Sequence, residues 1–368
     1  VMTVAVSISS AVANIASAFP PVGKQAVIVA VGLIVIMTLM NLRGVRESGT
    51  AFAIPTYGFI VGIFAMVAWG IWQISDGTIP QAESATWEIE PETTASGALL
   101  IFLLARAFSS GTTALTGIEA IANGVPAFKK PKSKNAATTL LLLGVISMSM
   151  FAAITWLAMV TNVRVTEHNE NLVGLPPGQE QKTVIAQVSQ AIFSDFQPGY
   201  LYISIMTALI LVLAANTAFN GFPVLGSVLA RDGYLPRQLH TRGDRLAFSN
   251  GIIFLAGAAT VLVIVYDASV SSLIQLYVLG VFVSFTLSQI GMVKHWNRHL
   301  RDETNPKERR RMKRSRVINT VGFLMTGSVL IIVLVTKFTH GAYLVVIAMP
   351  VLYMIMRSVR KHYDRVAA

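Results

Sequence analysis

Cysteine is absent from the 368 residues, which excludes a disulfide framework and any thiolate metal site. Charge is scarce too. Asp, Glu, Lys and Arg make up 13% of the chain, against about 25% in a soluble globular domain. With 54% hydrophobic residues and a mean hydropathy of +0.62, the composition excludes a water-soluble fold and calls for a bilayer. The apolar stretches show no period-two alternation, so the strands of an outer-membrane barrel, about 10 residues each, are excluded as well. No basic leader with a small-residue cleavage site precedes the first apolar run, which opens at Val1. No span holds a His-Glu-x-x-His pair or two aspartates. The six His lie in loops, next to them or in the C-terminal tail, which leaves an intramembrane hydrolase without its parts.

What remains is a series of long apolar segments, at 1–19, 25–41, 50–74, 98–124, 137–160, 199–223, 249–266, 271–293, 317–336 and 342–357. Each reaches or approaches the roughly 17 to 25 residues that cross a hydrocarbon core as a helix. The expectation is an all-α polytopic membrane protein with ten spans in a single transmembrane domain, 1–368, and no separate soluble domain. Of the 29 Lys and Arg, all but Lys24, Arg106, Arg164, Lys182 and Lys337 fall at 42–49, 125–136, 224–248, 294–316 or in the C-terminal tail. Basic short loops stay cytoplasmic, so these connections and the C-terminus are expected inside, in a plasma (inner) membrane. The acidic loops 75–97 and 161–198 are expected outside. The net charge of +11 is then topological and needs no nucleic acid. An even number of spans places Val1 at the cytoplasmic face, and the expectation is that the chain is truncated there.

Along the chain, Asn41-Leu-Arg-Gly-Val-Arg-Glu-Ser-Gly49 reads as a connector between two helices, and Pro55 as a kink in the third span. Val184, Ile185, Val188, Ala191 and Ile192 recur at helical spacing, predicting a surface helix at the outer mouth within 179–193. Asn216, Thr217 and Asn220, like Ser7, Ser9, Ser10 and Asn14 in the first span, must face protein or a cavity. Such residues either bond between helices or line a pathway. Ser249 or Asn250 suits the N-cap of the following helix. The loop Lys294 to Arg316 reads as an anchor on anionic headgroups.

Glu119 is the one acidic side chain inside these apolar segments. Burial raises a carboxyl pKa towards neutrality, so it can load and unload a proton or hold a cation. Its neighbourhood, Phe108-Ser-Ser-Gly-Thr-Thr-Ala-Leu-Thr-Gly-Ile-Glu119-Ala, is unusually rich in glycine and hydroxyls and reads as a broken helix. A static pair with Arg106 is the competing account. On an unbroken helix, 13 residues at about 1.5 Å each hold the two roughly 20 Å apart, so even that pair requires the break. Gly111 and Gly117 are expected to permit it, with Thr112 and Thr113 at its centre. Helix ends freed in mid-membrane hold small ions and substrates. Thr116, three residues before Glu119, shares its face. Each threonine hydroxyl either serves a cation or bonds back to its own helix. Tyr277, early in the eighth span, is by position alone an interface residue or a ligand.

Three stretches, Asn41 to Gly49, Arg231-Asp-Gly-Tyr-Leu-Pro-Arg237 and Thr116-Gly-Ile-Glu119-Ala, taken in order, resemble the amino acid-polyamine-organocation superfamily. Nearly the whole chain is similar to the KimA-type potassium importers within it. The resemblance implies a LeuT-like fold of twelve helices, the first two absent here together with the first-helix aspartate. It also implies proton-coupled potassium uptake by alternating access, with potassium held by Thr116, Glu119 and Tyr277 and the proton by Glu119. No enzyme activity and no cofactor are expected. The expected partners are potassium, a proton and the lipid bilayer, with a homodimer through two late spans. A proton-coupled amino acid permease of the same superfamily is the alternative, and a passive channel is distinguished from both by coupling to pH.

Overall fold

The computed structural model describes residues 1–44, 49–78, 80–90, 97–115, 117, 121, 124–125, 128–166, 169–176, 179–239, 249–338 and 342–367. The chain is nearly all helical, and helices suit its surroundings because each satisfies its own backbone polar groups where no water can. In chain order they are α1 (Met2–Ala18), α2 (Ala26–Leu42), α3 (Gly49–Ser75), α4 (Ala98–Gly111), α5 (Lys132–Val160), α6 (Val184–Ile192), α7 (Gln197–Arg231), α8 (Ser249–Val265), α9 (Val270–Asp302), α10 (Pro306–Lys337) and α11 (Ala342–Ala367). Among the described residues seven are long and apolar enough to cross a membrane: α3, α5, α7, α9, α10, α11, and α2 with the 3-10 turn leading into it. The other apolar helices are shorter, α1 and α8 at 17 residues and α4 at 14.

Two compact units divide the chain. The first comprises Val1–Thr94, Ala120–Leu273 and Ile355–Ala368. Its core joins α3, α5, α6 and α7 through Ile63, Met66, Met150, Leu157, Val188, Ile192 and Ile203. Small residues set the spacing between α3 and α7. A Cβ added at Gly58 would lie 2.9 Å from Met206 Sδ, and one at Gly62 would lie 2.8 Å from Tyr202 Cε1. The Tyr202 hydroxyl also donates to the Gly58 carbonyl at 2.9 Å. Without a hydrophobic drive between helices in lipid, this close approach, together with polar bonds, is what holds a bundle together. Asn14 Nδ2 reaches the Ser204 carbonyl at 2.8 Å, linking α1 to α7. Asn41 Nδ2 reaches Asn216 Oδ1 at 2.7 Å, linking α2 to α7. Asn216 thus bonds between helices. Thr217 bonds back to Ala214, and Asn220, expected to face protein or a cavity, is exposed within the chain.

A cap closes one end of this unit, built on a two-stranded ribbon that helical periodicity does not foresee. β1 (Glu88–Ile89) runs antiparallel to β2 (Leu172–Val173), with Glu88 opposite Val173. Gly174, at φ +111°, lies so close to Trp87 that a Cβ would sit 2.7 Å from its ring. Arg164 donates its amide to Ser84 Oγ and its guanidinium to the Trp87 carbonyl, both at 2.8 Å. Lys182 pairs with Glu83 and bonds Gln190 at 2.9 Å. The helix expected on the surface over 179–193 is shorter, Val184–Ile192, with Thr183 as its N-cap. It is not superficial: Ala186, Gln187, Val188, Ser189, Ala191 and Ile192 are all buried. At the other end, Arg237 lies over the Tyr363 ring at 4.8 Å and Arg360 over Tyr234 at 4.6 Å. These crossed contacts clasp the end of α11 to the segment that follows α7. Asn250 does not serve as a cap; its amide bonds the Gln238 carbonyl at 2.9 Å. Ser249 is already the first residue of α8.

The second unit comprises Ala95–Glu119 and Ile274–Met354, and within it α4 packs against α10. The basic stretch Lys294 to Arg316, expected as a loop, is almost wholly helical. α9 runs to Asp302 and α10 begins at Pro306. Lys, Arg and Glu are strong helix formers, and nothing at the membrane surface obliges a helix to stop where its apolar face does. At 33 and 32 residues, each helix is about 50 Å long, well beyond the roughly 30 Å of a hydrocarbon core. Arg309 closes the C-terminus of α9 by donating to the carbonyls of Leu300 (3.2 Å) and Glu303 (3.0 Å). A ladder from Trp296 to Asn319 (2.9 Å) and on to Gln289 (2.7 Å) stitches α9 to α10.

Candidate functional site

α4 ends at Gly111, and Thr112–Leu115 continues as a 3-10 turn. The tightening has a local cause: two successive threonine hydroxyls bond backwards onto the helix. Thr112 Oγ1 donates to the Ser109 carbonyl at 2.6 Å and Thr113 Oγ1 to the Ser110 carbonyl at 2.7 Å. Of the two roles open to these hydroxyls, the structure shows back-bonding. Thr112 Oγ1 keeps its lone pairs, so it is not lost as an acceptor. Gly117 has φ +97°, a conformation that glycine alone adopts without cost. Gly111 needs no such freedom. It is the last residue of α4, and a Cβ there would meet open space.

Thr116 and Glu119 lie outside the described residues. Tyr277 sits on α9, in the second unit, half-buried, about 10 Å from the start of the helix at 1.5 Å per residue. Arg106, on α4, is also half-buried.

Two further polar groups in the second unit escaped the sequence reading. Ser109, 1% exposed, has a hydroxyl with no hydrogen-bond partner, at the last turn of α4. Gln275, two residues before Tyr277 and 7% exposed, has an Oε1 with no partner. A buried acceptor left unpaired costs about 1–3 kcal/mol, so such atoms call for a physical reason. Gln275 had a visible signal, an amide within an apolar span. Ser109 had none beyond its membership of the hydroxyl-rich run. Among the described residues no three His, Cys, Asp or Glu converge to hold a metal ion.

A family model described as amino acid permease matches residues 1–359. The potassium transporter KimA of Bacillus subtilis (strain 168) is 40% identical over 366 residues, covering 100% of this chain and 56% of that protein. The chain therefore spans a little over half the length of the curated relative it matches.

Proposed function

The chain belongs to the amino acid permease family, and from that premise we propose that the protein imports potassium together with a proton by alternating access. One observation carries the choice of cargo: the 40% identity to a potassium transporter extends across the entire chain. Glu119 takes the proton and helps hold the cation. Thr116 and Tyr277 supply oxygens, and Ser109 and Gln275 add the unpaired acceptors described above. Oxygen-only coordination suits a hard monovalent cation, which sheds its water only where oxygens replace it. The fold we assign is LeuT-like, with α1, α4 and α8 crossing the membrane alongside the seven longer helices and the C-terminus cytoplasmic. The broken end of α4 faces the ion, as half-helix ends do in such transporters.

The test is rubidium uptake into vesicles containing the native protein, with an imposed pH gradient. Acid outside is expected to drive accumulation, and Glu119→Gln to cut that pH-driven component by about tenfold or more, a loss of roughly 1.4 kcal/mol of coupling. Accumulation of amino acids without any response to cations would install the permease reading instead. Cation flux indifferent to pH would make the protein a channel.

A further inference from the structure

Because α9 runs on past its apolar part, two imidazoles that hydropathy places beside a loop stand on one face of a helix. His295 and His299 are four residues apart, so their side chains are neighbours on the helix surface. Both are exposed, and their ring centres lie 4.1 Å apart with the planes tilted by 36°. Trp296, bonded to Asn319 on α10, sets its ring edge-on to His295 at 5.1 Å and backs the pair. His299 Nδ1 lies 3.1 Å from the His295 carbonyl. A carbonyl only accepts, so this nitrogen carries the proton and Nε2 of the neutral ring keeps a free lone pair. Neither ring nitrogen of His295 is hydrogen-bonded among the described residues.

The charged neighbours are distributed unevenly. At about 100° per residue, Asp302 falls on the same side of α9 as the two histidines, while Lys294 and Arg301 fall on the other; Arg298 flanks His295. From α10, Arg309 is spent on the carbonyls of Leu300 and Glu303, and Arg316 on Asn297 Oδ1 at 3.2 Å. We propose that His295 and His299 chelate a late first-row divalent metal ion of the zinc, nickel and copper class. Two histidines at this spacing on one helix face are a zinc-binding arrangement, and a ring that donates its other N–H to a carbonyl is oriented as metal-ligating imidazoles are. Imidazole suits these metals, whereas magnesium and calcium take oxygens. On a tetrahedral ion with bonds of about 2.0–2.1 Å, two ring nitrogens stand about 3.4 Å apart, a spacing that rings already in contact reach by rotating about their side-chain bonds. No third His, Cys, Asp or Glu converges on the pair among the described residues, so water completes the coordination and the ion is held reversibly. Bound there, it staples the last turns of α9, the end that Arg309 closes from α10. The site rests on no assumption about the cargo.

The experiment is calorimetric titration of zinc into the detergent-purified native protein, made without a polyhistidine tag, at mildly alkaline pH, since protons compete with metal for imidazole. It compares wild type with His295→Ala, His299→Ala and His362→Ala. All three positions are exposed, and alanine favours the helix. Loss of an outer-shell partner alone costs metal sites about 10–100-fold in affinity, so each of the first two variants is expected to weaken binding at least about tenfold, with His362→Ala unchanged. The electron paramagnetic resonance spectrum of bound copper(II) is expected to show coupling to two nitrogens in the wild type and to one in either variant. Zinc binding absent from the wild type, equal in all four proteins, or lost with His362 overturns the site, as does a copper spectrum that His295→Ala and His299→Ala leave unchanged.

Discussion

Gly111 and Gly117 look alike in the sequence and differ in the structure. Gly117, at φ +97°, imposes on any L side chain a strain of about 1–2 kcal/mol. Gly111 is helical and open, where alanine gains up to about 1 kcal/mol in helix propensity. Gly117→Ala is therefore expected to lower thermal stability by several degrees and to reduce uptake, and Gly111→Ala to do neither; melting curves and rubidium uptake on the two variants check this. The role of each hydroxyl at the break depended on a rotamer that spacing does not encode, so the back-bonding of Thr112 and Thr113 became visible only in coordinates. Asn14 shows the same division. Its polarity within a span marked it as a bonded or pathway residue, yet only the structure shows its nitrogen donating to the Ser204 carbonyl and its oxygen without a partner.

At the level of elements, the apolar segments are helical over most of their described residues, seven of them in helices long enough to cross a membrane, because about 20 consecutive apolar residues leave the backbone no other way to satisfy itself in lipid. Their ends were less legible. Hydropathy reports where the hydrocarbon stops, not where the hydrogen-bonded helix stops, and α9 and α10 run on through Lys294 to Arg316. The ribbon of β1 and β2 was hidden for the opposite reason, since two residues per strand carry no periodicity. The packing of α3 on α7 rests on Gly58 and Gly62, four residues apart, a small-xxx-small pattern whose partner face could not be named from sequence. Gly62→Val should push α3 away from Tyr202 and Ile203 and cost about 1–3 kcal/mol. Gly32→Ala on α2, with no atom near its Cα, should cost nothing. Thermal unfolding of the two variants in one detergent separates the outcomes.

For the molecule as a whole, the division of basic residues predicts which end faces which compartment. Single cysteines at the exposed positions Glu180 and Lys313 are expected to react oppositely with a membrane-impermeant thiol reagent applied to intact cells. Glu180→Cys should be labelled and Lys313→Cys protected until the cells are opened; the reverse pattern would invert the topology. The cap that carries Glu83, Ser84, Arg164 and Lys182 is held by hydrogen bonds, one ion pair and the fit of Trp87 against Gly174. No sulfur takes part in it. Its shape is therefore indifferent to thiol chemistry: no disulfide can lock it, and no thiol reductant can loosen it.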